Sequence, residues 1–233
     1  NVYYYAGEDE IAFEQHAVKE EYVCESAAES GNISVDTTAT TCKLSFGDGS
    51  VTFSPLSGEM TSYIHSGKEH VNQSPAAFKG FLPNIYRAYL DNDTHYRDKW
   101  IAAGYDDYAC VCNKFDASIE DGKAVVTVDY RLKSAKSIRP LGKVKIVYTV
   151  YANGVIDVKA LFEPVSHKLL AAHMPRFGLT LEMPECFGNV QYYGMGKEEN
   201  LSDLYAQSII GIYDTTVAEM HEPYIRPQDA GNR

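Results

Sequence analysis

Val111-Cys-Asn-Lys-Phe-Asp-Ala-Ser-Ile119, then Glu120-Asp-Gly-Lys123, then Ala124-Val-Val-Thr-Val-Asp-Tyr-Arg-Leu132 is the stretch that decides the fold. Its two arms are rich in Val, Ile, Thr and Tyr and alternate apolar with polar residues, the pattern of half-buried strands. The link carries Asp121-Gly122, and Asp-Gly supplies the positive φ that a tight hairpin turn demands. Two further pairs follow the same logic. Cys42 to Phe46 and Ser50 to Phe53 flank Gly47-Asp48-Gly49, and Lys145 to Tyr151 and Val155 to Phe162 are joined by Ala152-Asn153-Gly154. Further strands are expected at Met60 to His65, Phe177 to Glu182 and Val190 to Tyr193, between Gly and Pro punctuation. Only Ile85 to Tyr89 and Asp98 to Ala103 read as helical, and both are short. So many antiparallel hairpins predict an all-β chain built as a two-sheet sandwich.

Composition points the same way. At 233 residues with 45% hydrophobic and 23% charged side chains, the chain is long enough to bury a sandwich-sized core. Its net charge of -11 repels phosphate, and no local Lys/Arg cluster offsets it, so neither nucleic acid nor an anionic membrane is an expected partner. No apolar run approaches the roughly 18 residues that span a bilayer. The first residues carry no charged n-region and apolar h-region, so no signal peptide is expected in the sequence, and the compartment stays open.

The five cysteines, Cys24, Cys42, Cys110, Cys112 and Cys186, are odd in number and irregularly spaced, which argues against a disulfide framework. Cys110 and Cys112 in an alternating strand share one face and read as buried free thiols, not as a zinc pair. Sequons begin at Asn32, Asn72, Asn92 and Asn200.

Motifs that would carry catalysis are weak. Asp91 with Asp93, and Glu198 with Glu199, are the carboxylate pairs that a retaining glycosidase would need roughly 5 Å apart. Adjacent side chains on an extended chain diverge, however, and carboxylates in an Asn/Asp-rich stretch more often bond their own backbone. Gly194-Met-Gly196-Lys197 lacks the ending and the following helix of a phosphate loop and reads as a turn. No Gly-x-Ser-x-Gly or His-Glu-x-x-His is present. A His acting with a carboxylate on a free hexose is a further reading, with His65, His95, His167, His173 and His221 as the candidates, but no spacing singles one out. Eighteen tyrosines against one Trp, Trp100, offer planar faces on which a pyranose ring can stack, although Tyr is equally a good strand residue.

Five ordered segments carry a family resemblance: Tyr5-Ala-Gly-Glu-Asp-Glu-Ile-Ala-Phe-Glu-Gln15; Tyr89-Leu-Asp-Asn-Asp93 with Lys99-Trp-Ile-Ala-Ala-Gly104; Met174-Pro-Arg-Phe-Gly178; Tyr193-Gly-Met-Gly196; and Pro223-Tyr-Ile-Arg-Pro-Gln-Asp-Ala-Gly-Asn-Arg233. They resemble, in order, segments of the C-terminal β-domain of the β-galactosidases of glycoside hydrolase family 2. Departures sit at Lys197, Leu201 and Leu204, where that family usually has Pro, Tyr and Arg, and at Asp229, where Glu is usual.

The resemblance implies a large, incomplete antiparallel sandwich of the galactose-mutarotase-like supersandwich type. Residues 1–20 would then be the last strand of a preceding immunoglobulin-like domain, 21–41 a linker rich in Ser, Thr, Ala, Asn and Glu, and 42–233 the first part of the C-terminal domain. It also implies that the chain is a fragment holding no catalytic residue and no cofactor, the catalytic glutamates lying in an upstream barrel and any Mg or Na ions belonging to the parent enzyme. Asp91, Asn92, Asp93, Thr94 and His95 would lie at the rim of the parent's substrate pocket, with Thr94-His95 in place of the family's Ile-Gly. The implied partners are the barrel of the same polypeptide, galactosides through the parent, and further copies of the parent in a homo-oligomer. The alternative is a stand-alone carbohydrate-binding sandwich or, further off, an aldose epimerase.

Overall fold

The structure is a computed structural model that describes residues 1–18, 31–77, 80–165, 173–201, 203–226 and 228–232. Its strands are β1 (Val2–Ala6), β2 (Asp9–Glu14), β3 (Ile33–Thr37), β4 (Cys42–Phe46), β5 (Gly49–Phe53), β6 (Met60–His65), β7 (Lys68–Glu69) and β8 (Leu82–Asn84). A short helix, α1 (Arg97–Ala103), precedes β9 (Ala109–Glu120), β10 (Lys123–Lys133), β11 (Gly142–Val150), β12 (Ile156–Pro164), β13 (Gly178–Thr180), β14 (Asn189–Met195) and β15 (Ile210–Thr216). The described residues fall into two compact units, one running from the start through 18 and from 186 onward, the other from 31 to 185.

The second unit is the sandwich. One sheet has the order β3-β4-β5-β6-β7, the other β12-β11-β10-β9, and every pairing in them is antiparallel. Alternation decides what is buried. Along β10 the residues Ala124, Val126, Val128, Tyr130 and Leu132 are buried, and along β11 so are Val144, Ile146, Tyr148 and Val150. They share a core with Cys42, Leu44 and Phe46 of β4 and Val51 and Phe53 of β5, so the two sheets face each other across it. Phe53 spans the layers, its ring 5.0 Å from that of Tyr148 and 6.2 Å from that of Phe115. Truncating such a buried aromatic to alanine costs about 3–5 kcal/mol.

The three expected hairpins form, by different turns. Asp121 (φ 48°) and Gly122 (φ 75°) both take positive φ, the type I′ turn that matches strand twist. The β4–β5 hairpin turns instead on Gly47-Asp48 without positive φ, and the Asp48 carboxylate accepts a hydrogen bond from the Ser66 hydroxyl at 2.7 Å. In the third, Gly154 takes φ 89° and its N–H donates to the Tyr151 carbonyl.

A bulge breaks the alternation in β9. Tyr130 pairs with Cys112 and Asp129 with Lys114, so Asn113 has no opposite residue. The extra residue re-phases the strand, and Cys112 and Phe115, three apart, both pack against the core. Cys110 and Cys112 share the inner face, as C-x-C in a strand predicts.

Several expectations need correction. Ile85 to Tyr89 is not helical: the Ile85 N–H donates to the Tyr108 hydroxyl and the Tyr86 N–H to the Asn84 side chain, bonds that a helix would forgo. Within the stretch 21–41 read as a linker, residues 33–37 form the edge strand β3, because Ile33 and Val35 alternate and pack against the core. The first twenty residues hold two strands, β1 and β2, paired antiparallel, where one was expected. Cys24, His167 and Arg233 lie outside the described residues.

In the first unit β1 pairs with β2 and β14 with β15. The Gln15 amide ties this unit together like an extra strand residue, donating to the Ile210 carbonyl at 2.8 Å and accepting from the Ile210 N–H at 2.6 Å.

Candidate functional site

The segment expected at a pocket rim is a single 3-10 turn, Asp91–Asp93, running into α1. Backbone bonds wind it: the Asp93 N–H donates to the Leu90 carbonyl at 3.0 Å, and the Tyr96 N–H to the Asp93 carbonyl at 2.8 Å. The Thr94 hydroxyl donates to the Asp91 carbonyl at 2.6 Å. These bonds turn the Asp93 side chain inward and leave Asp91, Asn92, Thr94 and His95 exposed.

Asp93 is the anchor. Its Oδ2 accepts from Arg87 Nη1 at 2.5 Å and from the Leu90 N–H at 2.7 Å, and its Oδ1 accepts from Arg87 Nη2 at 3.2 Å. The Arg87 guanidinium also donates to the Ala88 carbonyl at 2.9 Å and lies 5.7 Å from the Trp100 ring centroid. Trp100 is buried on α1 and its indole N–H donates to the His173 carbonyl at 2.9 Å. Tyr96 stacks on Trp100 and meets the His173 ring edge-on at 4.9 Å. Gly104 ends α1 in the left-handed conformation with φ 84°, which a side chain would strain. The five predicted residues are therefore contiguous, but they divide into one buried carboxylate with a structural partner and four exposed groups around it.

Such a carboxylate is spent on its own fold. Asp93 is engaged by a cation and a backbone amide, whereas Asp91 is exposed, so the two do not share an environment suited to opposed acid and nucleophile roles. Glu198 and Glu199 divide likewise. Glu198 is exposed; Glu199 is 4% exposed and accepts from the N–H groups of Gly231 and Asn232 at 3.0 and 2.8 Å and from the Asn232 amide at 2.7 Å. It pins the end of the described chain.

The other candidates are scattered. His95, His173 and His221 are exposed. His65 Nδ1 lies 3.6 Å from the Asp48 carboxylate where the β4–β5 and β6–β7 turns meet. Burial, and then the nearby Glu59 charge, push the Cys110 thiol up to about 12, and burial also raises Cys112 and Cys42. These thiols stay protonated and inert near neutrality. Among the described residues no group of three or more His, Cys, Asp or Glu side chains is placed to hold a metal ion. Arg87 escaped the sequence reading, since a lone Arg beside tyrosines carries no spacing signal; only its position six residues before Asp93, where a turn folds back, could have suggested the pair.

A family model described as the β-galactosidase small chain matches residues 46–233. The chain is 25% identical over 229 residues to a β-galactosidase of Halalkalibacterium halodurans, covering 96% of this chain and 21% of that protein. It is 26% identical over 228 residues to a β-galactosidase of Staphylococcus xylosus, covering 97% of this chain and 22% of the relative. A β-galactosidase of Streptococcus thermophilus is 29% identical over 186 residues, 78% of this chain and 17% of its own length. The chain thus spans about a fifth of the length of the curated relatives it matches.

Proposed function

The chain belongs to the β-galactosidase small-chain family, and from that premise we propose that it serves as a supporting sandwich in a larger β-galactosidase, which hydrolyses terminal β-D-galactosides with retention. The catalytic glutamates are assigned to another part of that polypeptide, and this chain to one wall of the pocket, with Asp91, Asn92, Thr94 and His95 at the rim and Arg87–Asp93 beneath them. The carrying observation is the family match over 46–233 in a chain that spans about a fifth of its relatives. The engagement of Asp93 and Glu199 by backbone N–H groups supports it, since one carboxylate of each candidate pair is used for structure. Any Mg or Na ions are assigned to the rest of the enzyme.

Surface chemistry in the first unit supports an assembly role. On β14 and β15 the cross-strand pair Tyr193 and Ile212 is 78% and 70% exposed, beside exposed Ile210. An exposed apolar face of this kind marks a surface that other protein covers, and here the occupants are assigned to the remainder of the same polypeptide and to further copies of it.

Two measurements test the reading. Pure chain is expected to leave nitrophenyl β-D-galactoside intact, and turnover by it would overturn the assignment of the catalytic groups elsewhere. An antibody against the chain, used on a native extract, is expected to mark a band far above 25.9 kDa; a band at that mass would instead favour the stand-alone sandwich.

A further inference from the structure

A cavity of about 520 Å³ opens in the sandwich unit beside β8 and the first residues of β9. That volume falls in the range of small-molecule sites. Three tyrosines, Tyr86, Tyr105 and Tyr108, form its apolar walls, and Glu59, Asn84, Asp106 and Thr180 supply its polar groups.

Some of these polar groups are already spent on the fold and others are still open to a ligand. The Tyr108 hydroxyl is occupied, donating to the Pro83 carbonyl at 2.9 Å and accepting from the Ile85 N–H at 3.2 Å, so this residue presents its ring alone. Asn84 accepts from the Tyr86 N–H through Oδ1 at 3.0 Å and donates one amide hydrogen to Thr180 Oγ1 at 3.1 Å. One Asn84 N–H and the Thr180 hydroxyl hydrogen remain as donors. Glu59 Oε2 accepts from the Ser57 hydroxyl at 2.9 Å, which leaves Oε1 as an acceptor. Asp106 is neutralised by Lys136 Nζ at 2.8 and 2.9 Å and keeps lone pairs to spare.

Unspent donors and unspent acceptors therefore face one aromatic-walled space. A ligand that meets both must donate and accept around its rim while offering an apolar face to the rings. An alkylammonium donates only and would leave the Asn84 and Thr180 hydrogens unmet; a carboxylate or phosphate would face Glu59. Hydroxyl groups do both, and a pyranose carries them around a ring whose C–H face packs on tyrosine. We propose that this cavity binds a neutral pyranose, with the half-buried Tyr86 and Tyr108 rings as stacking walls, Glu59 Oε1 accepting from ligand hydroxyls, and Asn84 and Thr180 donating to them. The proposal rests on the cavity alone and not on the β-galactosidase reading, so either can fail without the other.

The test is an NMR titration of the full chain carrying 13C-labelled tyrosine, with methyl β-D-galactopyranoside, methyl β-D-glucopyranoside and, separately, tetramethylammonium chloride. Saturable shifts of the Tyr86 and Tyr108 ring signals are expected with a glycoside, at a dissociation constant on the order of 1 mM, while the signal of the core residue Tyr148 stays in place. Glu59→Gln, which keeps the Ser57 bond, and Thr180→Val are each expected to weaken binding about tenfold, the size of one lost hydrogen bond. An unmoved Tyr148 signal shows that a variant is folded, and Thr180→Val stands in should Glu59→Gln fail that check. Absence of a saturable shift with both glycosides, affinity unchanged in the folded variants, or tighter binding of tetramethylammonium would each overturn the proposal.

Discussion

Arg87 grips both carboxylate oxygens of Asp93, at 2.5 and 3.2 Å, with the two side chains 16% and 13% exposed. A pair this sheltered contributes more through the damage its loss would do than through its own attraction, because removing one partner strands a charge. Asp93 also accepts from the Leu90 N–H, so the pair shapes the turn that carries the rim residues. Asp93→Asn is expected to destabilise the chain by about 2–3 kcal/mol, read as a shift of the urea midpoint at constant slope. Arg87→Lys is expected to recover little of an Arg87→Ala loss, since an ammonium cannot bridge both oxygens or lie flat over Trp100. Full recovery by lysine would contradict the bidentate role.

Glu199 makes a second prediction of the same kind at the other end of the sequence. Its carboxylate receives three hydrogen bonds from Gly231 and Asn232. Glutamine can accept at one oxygen only, and its NH₂ would face a donor. Glu199→Gln is therefore expected to speed hydrogen exchange at the Gly231 and Asn232 amides by roughly 10–100-fold, equivalent to about 1.4–2.7 kcal/mol of local stability. Exchange elsewhere, at Val126 or Ile146 in the sandwich core, should not change.

Sequence periodicity carried the sandwich because its central strands obey a simple rule. From Ala124 to Leu132 every second residue is buried, and Asp121-Gly122 forms the turn that its residue types demand. Periodicity failed where a tertiary bond competes. The Tyr108 hydroxyl and the Asn84 side chain capture the amides of Ile85 and Tyr86, and no local pattern announces partners that lie elsewhere on the chain. Edge strand β3 was missed because it is short and sits in a Ser/Thr-rich stretch, and the β9 bulge because one unpaired Asn113 looks like any polar residue of an alternating strand. At the candidate site the segment 91–95 was legible through its motif, while the division of labour within it depends on Arg87, which only the folded chain brings to Asp93.

The Asp121-Gly122 turn gives a backbone prediction. Gly122 takes φ 75°, a conformation that residues with a Cβ adopt at a cost. Gly122→Ala should lower stability by about 1 kcal/mol, whereas Gly47→Ala, at a glycine without positive φ, should cost less. Parallel thermal melts of the two variants measure the difference, and equal losses would contradict the assignment of strain to the Asp121-Gly122 turn.

Thiol reactivity distinguishes the cysteines. Cys186 is exposed, whereas burial holds the Cys110 thiol up to about 12. At pH 8 only roughly one Cys110 in ten thousand would be ionised, so peptide mapping after brief iodoacetamide treatment should find Cys186 alkylated and Cys110 intact. Urea should bring Cys110 into reach. Rapid native labelling of Cys110 would contradict the hold that burial keeps on its proton.

Glu69 sets an acid limit on the sandwich. Burial by itself raises its carboxyl, but the Ser62 hydroxyl at 2.5 Å, the Val71 and Tyr63 amides at 2.9 Å each and the His70 amide outweigh burial and hold it below the ordinary glutamate range. A carboxyl depressed by folding binds protons more readily in the unfolded chain, so acid favours unfolding. Its contribution is complete above the unfolded value of about 4.3 and fades as pH falls through the lower folded value. Glu69→Gln has no charge to titrate. The stability gap between the native chain and Glu69→Gln should therefore be widest near pH 6, on the order of 1 kcal/mol for the lost charged hydrogen bonds, and should narrow toward pH 3. Urea titrations of both proteins across that interval measure it, and a gap constant with pH would show that the carboxylate's charge adds nothing to the β6–β7 edge.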